Sequence, residues 1–139
     1  MYTGSCLCGG IQFRIARELA PIEVGHCRQC RKAQGGPLAT NSAIDAAGFN
    51  LVRGADLLTA YESSPGKKRV FCSRCGAPIY SVRDALPNVL RIRVGLVDEP
   101  IAARPVAHIQ VASNCKWWPI SDSLPQFPAE YAPQQPQPA

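Results

Sequence analysis

Apolar and polar side chains alternate along most of the chain, which is typical of strands with one buried face. The alternation is clearest in IQFRI (11–15) and in VLRIRV (89–94). Shorter runs of the same kind predict further strands at 49–53, 57–61, 69–72, 79–82 and 107–112. Turn-forming pairs such as Pro65-Gly66 and Pro87-Asn88 separate them. The pattern therefore predicts a mostly β protein.

One short helix is predicted at residues 27–34, because Gly35-Gly36-Pro37 then stops it. From Pro128 onward the chain is rich in proline and glutamine and has almost no apolar side chains, which favours disorder. A chain of 139 residues is long enough for one domain with a modest core. We expect a single domain over residues 1–127 and a disordered tail over 128–139.

Composition narrows the class of protein. A hydrophobic fraction of 46% excludes disorder throughout, and no run reaches the roughly 18 apolar residues of a membrane span. The start, MYTGSCLCGG, lacks the pattern of a secretory signal, so we expect a cytoplasmic protein whose cysteines bind metal or do chemistry. The net charge of +5 fits an acidic small molecule or nucleic acid as partner.

Six of the seven cysteines fall in close pairs, which is a strong signal for metal binding in so short a chain. A glycine follows the first and third pairs, at Gly9 and Gly76, and permits the positive φ of a tight turn around a metal. We therefore expect one structural zinc bound by Cys6, Cys8, Cys72 and Cys75. The alternative is a zinc shared by the second and third pairs.

The second pair, Cys27 and Cys30, stands in the basic stretch GHCRQCRK. The cations Arg28, Arg31 and Lys32 favour thiolates at this pair, so we predict that it lies at the functional site. Two thiolates with water or a third ligand would form an open metal site, and a reduced pair without metal is the alternative.

For the other residues that could contribute to a site, we expect mainly structural roles. His26 is adjacent to Cys27 and could be a metal ligand, although neighbouring side chains usually diverge. His108 is expected to be a core histidine with its hydrogen bonds satisfied. Cys115 is unpaired and is expected to be a buried or incidental thiol, with a distant third ligand as the alternative. At least one of Trp117 and Trp118 is expected to pack on the sheet. Four arginines are interpreted as a solvated sheet face: Arg14, Arg53, Arg91 and Arg93.

The order of motifs resembles the glutathione-dependent formaldehyde-activating enzyme family, which also includes centromere protein V. The shared motifs are GSCLCGG, HCRQCRKAQG and RVFCSRCGAPI, and the similarity extends over about residues 3–127. The resemblance implies a β-tent-like fold of packed antiparallel sheets, with the structural zinc on the four glycine-flanked cysteines. It also implies a second, catalytic zinc on a C-H-C-x-x-C motif. Here Gly25 stands at the first cysteine position of that motif.

The activity implied by the resemblance is the joining of formaldehyde to glutathione as S-(hydroxymethyl)glutathione, a carbon–sulfur lyase reaction in reverse. Cys27 and Cys30 would be catalytic, and Arg28, Arg31 and Lys32 would bind the carboxylates of glutathione. With Gly25 in place of a cysteine, the second metal site is expected to be degenerate. The alternatives are a zinc-stabilised binding module for nucleic acid or protein and a redox-active cysteine pair. Nucleic acid is the less favoured partner, because the basic residues are scattered.

Overall fold

The computed structural model describes residues 1–130. Over this range the chain forms ten strands and one α-helix, so the predicted mostly β class is confirmed. The helix, α1, spans Arg28–Gln34. The strands are β1 Tyr2–Ser5, β2 Gln12–Ile15, β3 Ile22–Gly25, β4 Ala39–Asp45, β5 Phe49–Arg53, β6 Leu58–Ser64, β7 Lys67–Cys72, β8 Pro78–Arg83, β9 Leu86–Arg93 and β10 Pro105–Ile109.

The strands form two sheets. The small sheet has the order β1-β2-β5, and the large sheet has the order β10-β3-β4-β9-β8-β7-β6. Neighbouring strands are antiparallel except for β10 and β3, which are parallel. Among residues 1–130, no helix has the length and apolar character needed to cross a membrane.

The hydrophobic core joins the two sheets. Phe13 of β2 and Ile92 of β9 are almost completely buried in one apolar cluster. The ring of Phe49 stacks on Phe13 at 5.1 Å between centroids and meets Tyr80 edge-on at 5.5 Å. Each fully buried aliphatic or aromatic side chain contributes roughly 1.5–3 kcal/mol to folding. The apolar positions of the alternating strands are therefore the ones that hold the sheets together.

The opposite face of the large sheet is polar. Directly paired residues of antiparallel strands point to the same side of a sheet. The register pairs Arg69 with Ser81 and Ser81 with Arg91, and it pairs Arg93 with Asn41. Arg69 is 8% exposed and Arg93 is 5% exposed, so this polar face is buried in part.

Three strands were not predicted from the sequence. Strands β1, β3 and β4 lack a clear alternation: β3 is buried at all four residues, and β4 carries mostly small side chains. The strand predicted at 107–112 ends at Ile109, because Gln110 adopts a left-handed φ of 57°.

The start of the predicted tail is hydrogen-bonded. Ala129 accepts a backbone hydrogen bond from Gln110, and Glu130 pairs with Arg83 at 2.6 Å. Residues 131–139 lie outside the described residues, so the disorder expected there stays a prediction.

Candidate functional site

The first and third cysteine pairs come together. All four Sγ atoms of the cluster lie within 4.8 Å of one another, and the group is Cys6, Cys8, Cys72 and Cys75. Cys6 Sγ lies 3.6 Å from Cys8 Sγ, which lies 3.9 Å from Cys72 Sγ. Four sulfur atoms at these separations could hold one metal ion.

Each pair in the cluster sits in a tight turn. Gly9 has φ 75° and donates its N–H to the carbonyl of Cys6; Gly76 has φ 78° and donates to the carbonyl of Cys72. Only glycine adopts these angles without strain. The positive φ angles predicted for these two glycines are therefore confirmed, and they turn the backbone around the sulfur atoms.

Two sulfur atoms of the cluster accept hydrogen bonds from N–H donors. The backbone N–H of Ile11 donates to Cys6 Sγ at 3.2 Å, and Arg74 Nε donates to Cys8 Sγ at 3.3 Å. The hydrogen bond from Arg74 lowers the pKa of the exposed Cys8 thiol to about 6. Burial raises the pKa of Cys6. Bonds of this kind orient thiolate ligands around a metal.

The second cysteine pair lies elsewhere, at the start of α1. Cys27 is the N-cap residue, and its Sγ accepts the backbone N–H of Cys30 at 3.1 Å. The two Sγ atoms are 2.6 Å apart. Within residues 1–130, no other histidine, cysteine or acidic side chain joins them in a group of three possible ligands. The pair is therefore open on one side.

A buried guanidinium faces this pair. Arg69 Nη2 lies 3.7 Å from Cys30 Sγ and 4.0 Å from Cys27 Sγ. The hydrogen bond from Cys27, with the contact to Arg69, lowers the pKa of Cys30 to about 5. The same shared hydrogen bond and burial raise the pKa of Cys27. One sulfur of the pair thus favours the thiolate while the other keeps its proton.

A cavity of about 340 Å³ opens from the cysteine pair onto the polar face of the large sheet. Its wall includes Cys27, Cys30 and Gly25 at one end. Four cationic side chains also contribute: Lys67, Arg83, Arg91 and Arg93. Glu23 pairs with Arg91 across the wall. The cavity therefore joins soft sulfur atoms to a strongly cationic surface.

The basic residues of α1 lie outside this wall. Arg28 and Lys32 are exposed, and Arg31 donates through Nη2 to the carbonyl of Ser113 at 3.1 Å. Their predicted role in binding carboxylates stays a prediction.

The interpretation of Arg91 and Arg93 as a solvated face was wrong, because both line the cavity and Arg93 is buried. Arg14 and Arg53 are exposed as expected. The sequence did carry a signal for the cavity. Strands β7 and β9 each place two cations at alternate positions, as KKR and RIR, which puts both on one face.

The two histidines form a buried chain beside the pair. His26 Nε2 lies 2.7 Å from His108 Nδ1, and His108 Nε2 lies 2.9 Å from a carboxylate oxygen of Asp122. His108 is thus a core histidine with both ring nitrogens hydrogen-bonded, as expected. The ring of His26 is directed to His108 in the same network, and the contribution of Asp122 was not foreseen.

The thiol of Cys115 and the two tryptophans differ in outcome. Cys115 is buried, as expected, and lies outside the four-cysteine group. Trp117 and Trp118 are 68% and 50% exposed, so the expectation that one of them packs in the sheet was wrong.

Comparison with known proteins decides the family. The family model for the glutathione-dependent formaldehyde-activating enzyme matches residues 1–113 of the chain. The chain belongs to this family.

One curated protein and one solved structure are similar to this formaldehyde-activating enzyme family member. An uncharacterized lyase of Schizosaccharomyces pombe is 29% identical over 79 residues, which cover 57% of this chain and 56% of that protein. The match thus spans little more than half the length of the curated relative. A crystal structure of a Rhodobacter sphaeroides protein has a TM-score of 0.60 at 23% identity, covering 75% of this chain and 99% of that one. It shows the shared fold.

Gly25 is the position at which this family member departs from the C-H-C-x-x-C motif. A Cβ built on Gly25 would lie 3.6 Å from Cys30 Sγ and 3.8 Å from Asn41 Nδ2. Both are ordinary van der Waals distances. The backbone therefore has room for a side chain directed at the cysteine pair, and glycine leaves that space open to a ligand.

Proposed function

We propose that this protein forms or cleaves adducts between an aldehyde and a thiol such as glutathione, as a carbon–sulfur lyase. The observation that carries the proposal is the close pair of Cys27 and Cys30 at the end of a cationic cavity. The family and the lyase relative support the reaction class. S-(hydroxymethyl)glutathione is the adduct that the family name suggests.

We further propose that the four-cysteine cluster holds one structural zinc ion. In a tetrahedral site with zinc–sulfur bonds of roughly 2.3 Å, neighbouring sulfur atoms are separated by about 3.8 Å. The observed separations of 3.6 and 3.9 Å from Cys8 to Cys6 and Cys72 fit that geometry. Zinc there would contribute on the order of 10 kcal/mol to folding.

Cys27 and Cys30 hold no metal tightly in this proposal. A catalytic zinc site normally has three protein ligands, and this pair offers two because Gly25 has no side chain. The chemistry then rests on the side chains present, with the space beside Gly25 open to the sulfur of the substrate.

The reaction needs two proton transfers with the substrates and one between the two cysteines. The Cys30 thiolate, held by Arg69, accepts the proton of the substrate thiol, and the new thiolate sulfur attacks the carbonyl carbon. The carbonyl oxygen becomes an alkoxide and takes the proton of Cys27. Proton exchange over the 2.6 Å between the two sulfur atoms then restores the starting state. Adduct cleavage follows the same steps in reverse.

We do not propose nucleic acid as the partner. Lys67, Arg69, Arg83, Arg91 and Arg93 lie on one face of the large sheet, and four of them line the cavity. Cations in a cavity of 340 Å³ suit a small anionic molecule better than a duplex backbone.

The test is the rate of S-(hydroxymethyl)glutathione formation from formaldehyde and glutathione, followed by NMR exchange spectroscopy. The native protein should accelerate exchange, and Cys30→Ser should reduce the acceleration at least ~100-fold because the proton acceptor is lost. Cys115→Ser, which changes a buried thiol outside both sites, is the matched control and should retain the rate. Equal rates in the native protein and Cys30→Ser would refute the proposal.

A further inference from the structure

The cationic wall of the cavity is only partly neutralised. Arg91 pairs with Glu23, and Arg83 pairs with Glu130 at 2.6 Å. These two pairs use the acidic side chains of the wall, which are Glu23 and Glu130. Two further cations of the wall, Lys67 and Arg93, have no ion-pair partner among residues 1–130.

Arg93 is the more deeply buried of the two, at 5% exposure. Its Nη1 donates to Asn41 Oδ1 at 2.5 Å and to the carbonyl of Arg91 at 3.1 Å, which are both neutral acceptors. Its Nε is buried and has no hydrogen-bond partner in the described part of the chain. A buried charge normally has both a counter-ion and complete hydrogen bonding. Arg93 thus lacks a counter-ion and one acceptor.

Lys67 shares this environment. Burial, followed by repulsion from Arg69, lowers the pKa of both Lys67 and Arg93. Arg69 itself donates through Nη2 to the cysteine sulfurs, while its Nη1 is buried and has no hydrogen-bond partner within residues 1–130. Lys67 and Arg93 each interact with Arg69, so even with a thiolate at Cys30 these three cations of one sheet face share a single anion. The local excess is about two positive charges.

We propose that the cavity contains an oxyanion site in which Arg93 and Lys67 bind a carboxylate group. A carboxylate would supply the missing acceptors and offset the uncompensated charge, and guanidinium groups bind carboxylates strongly. Because the same cavity ends at Cys27 and Cys30, the ligand is a thiol that carries a carboxylate near its sulfur. Assigning that ligand as the substrate rests on the proposed function; the oxyanion site itself does not.

The test uses calorimetric titration of the native protein at constant ionic strength, with chloride as the balancing anion. Sulfate probes the oxyanion site alone, mercaptoacetate probes a thiol with a carboxylate, and 2-mercaptoethanol is its neutral counterpart. Native protein should bind sulfate and should bind mercaptoacetate at least ~10-fold more tightly than 2-mercaptoethanol, because one charged hydrogen bond contributes roughly 1.5–3 kcal/mol.

The variants are Arg93→Gln and Lys67→Gln, with Arg14→Gln as the matched control on the exposed face of β2. The first two should weaken sulfate binding ~10-fold or more, and the control should leave it unchanged. Lys67 is less buried than Arg93, so Lys67→Gln gives a reading if Arg93→Gln does not fold. Absence of sulfate binding by native protein, or equal binding by Lys67→Gln and Arg14→Gln, would overturn the inference.

The oxyanion site and the proposed function can fail separately. If Lys67→Gln and Arg14→Gln bind sulfate equally while the native protein still accelerates adduct exchange, the oxyanion site alone is refuted. If sulfate binding depends on Lys67 but no thiol adduct is turned over, the oxyanion site is supported and the lyase proposal is refuted.

Discussion

The two cysteine regions use the same C-x-x-C spacing for opposite purposes. At Cys72 and Cys75 the spacing closes a turn, and a glycine with φ 78° brings the pair into a group of four sulfurs. At Cys27 and Cys30 the spacing begins a helix, and the two sulfurs face a cavity with no third cysteine. The residues around each pair, a glycine turn in one case and a helix start in the other, distinguish the closed group of four sulfurs from the open pair.

Glycine also acts differently in the two regions. Gly9 and Gly76 supply backbone angles that other residues reach only with strain. Gly25 has no positive φ, and its effect comes from the missing side chain beside Cys30 Sγ. The first kind of glycine brings four sulfur atoms together, and the second leaves a space beside two.

The largest expected effect is at the closed cluster. Cys72→Ser removes a fully buried ligand, and without zinc binding the fold should lose more than ~5 kcal/mol of stability. Circular dichroism should show loss of cooperative unfolding, and atomic absorption should show less than one zinc per chain. Cys115→Ser is the control and should keep its zinc. A folded Cys72→Ser protein with full zinc content would show that the cluster is not the metal site.

The second largest effect is expected from a substitution that adds a third thiol to the open pair of Cys27 and Cys30. Gly25→Cys places a third thiolate next to Cys30, at a position where Cβ has only ordinary contacts. Zinc content should rise from one to two per chain, with the second ion removed by a mild chelator. Gly25→Ser adds a similar volume without the thiolate and should stay at one. A folded Gly25→Cys protein that gains no metal would show that the missing side chain at Gly25 is not what keeps a second zinc from binding.

The third effect compares thiol reactivity in the zinc-loaded protein. The pair of Cys27 and Cys30 lies outside the cluster and favours a thiolate at Cys30, so this pair should react with a disulfide reagent at least ~10-fold faster than the four cluster thiols. Removing zinc with a strong chelator should abolish the difference. The double variant Cys27→Ser/Cys30→Ser identifies the fast phase; persistence of that phase in the double variant would assign it to a thiol outside the pair.

The smallest effect concerns a neighbour of the cluster. Arg74→Gln removes the hydrogen bond from Nε to Cys8 Sγ at an exposed position. Zinc affinity, measured by competition with a chromogenic chelator, should fall by less than ~10-fold, because exposed charge interactions contribute little. Arg53→Gln, also exposed, should leave the affinity unchanged. A loss as large as that of Cys72→Ser would mean that Arg74 is essential to the site.

Much of the closed cluster could be predicted from sequence, because its signals are local. Gly9 and Gly76 follow their cysteines directly, and helix α1 is bounded by Cys27 and a glycine stop. The cavity could not be found in the same way. Alternation showed that Arg91 and Arg93 share a face, but only the sheet order shows that Lys67 and Asn41 share it too. Burial of that polar face depends on contacts between residues that are far apart in the sequence.

Other expectations stay predictions. The β-tent description and the cytoplasmic location remain untested. Carboxylate binding by Arg28, Arg31 and Lys32 is also untested, and the cavity offers Lys67 and Arg93 as a competing set of residues.

The most direct measurement is the zinc content of the native protein beside that of Cys27→Ser, purified without added chelator. We predict one zinc per chain in both proteins, because the closed cluster holds the metal and the open pair does not. Two zinc ions in the native protein, falling to one in Cys27→Ser, would contradict it and would establish a second metal site at Cys27 and Cys30.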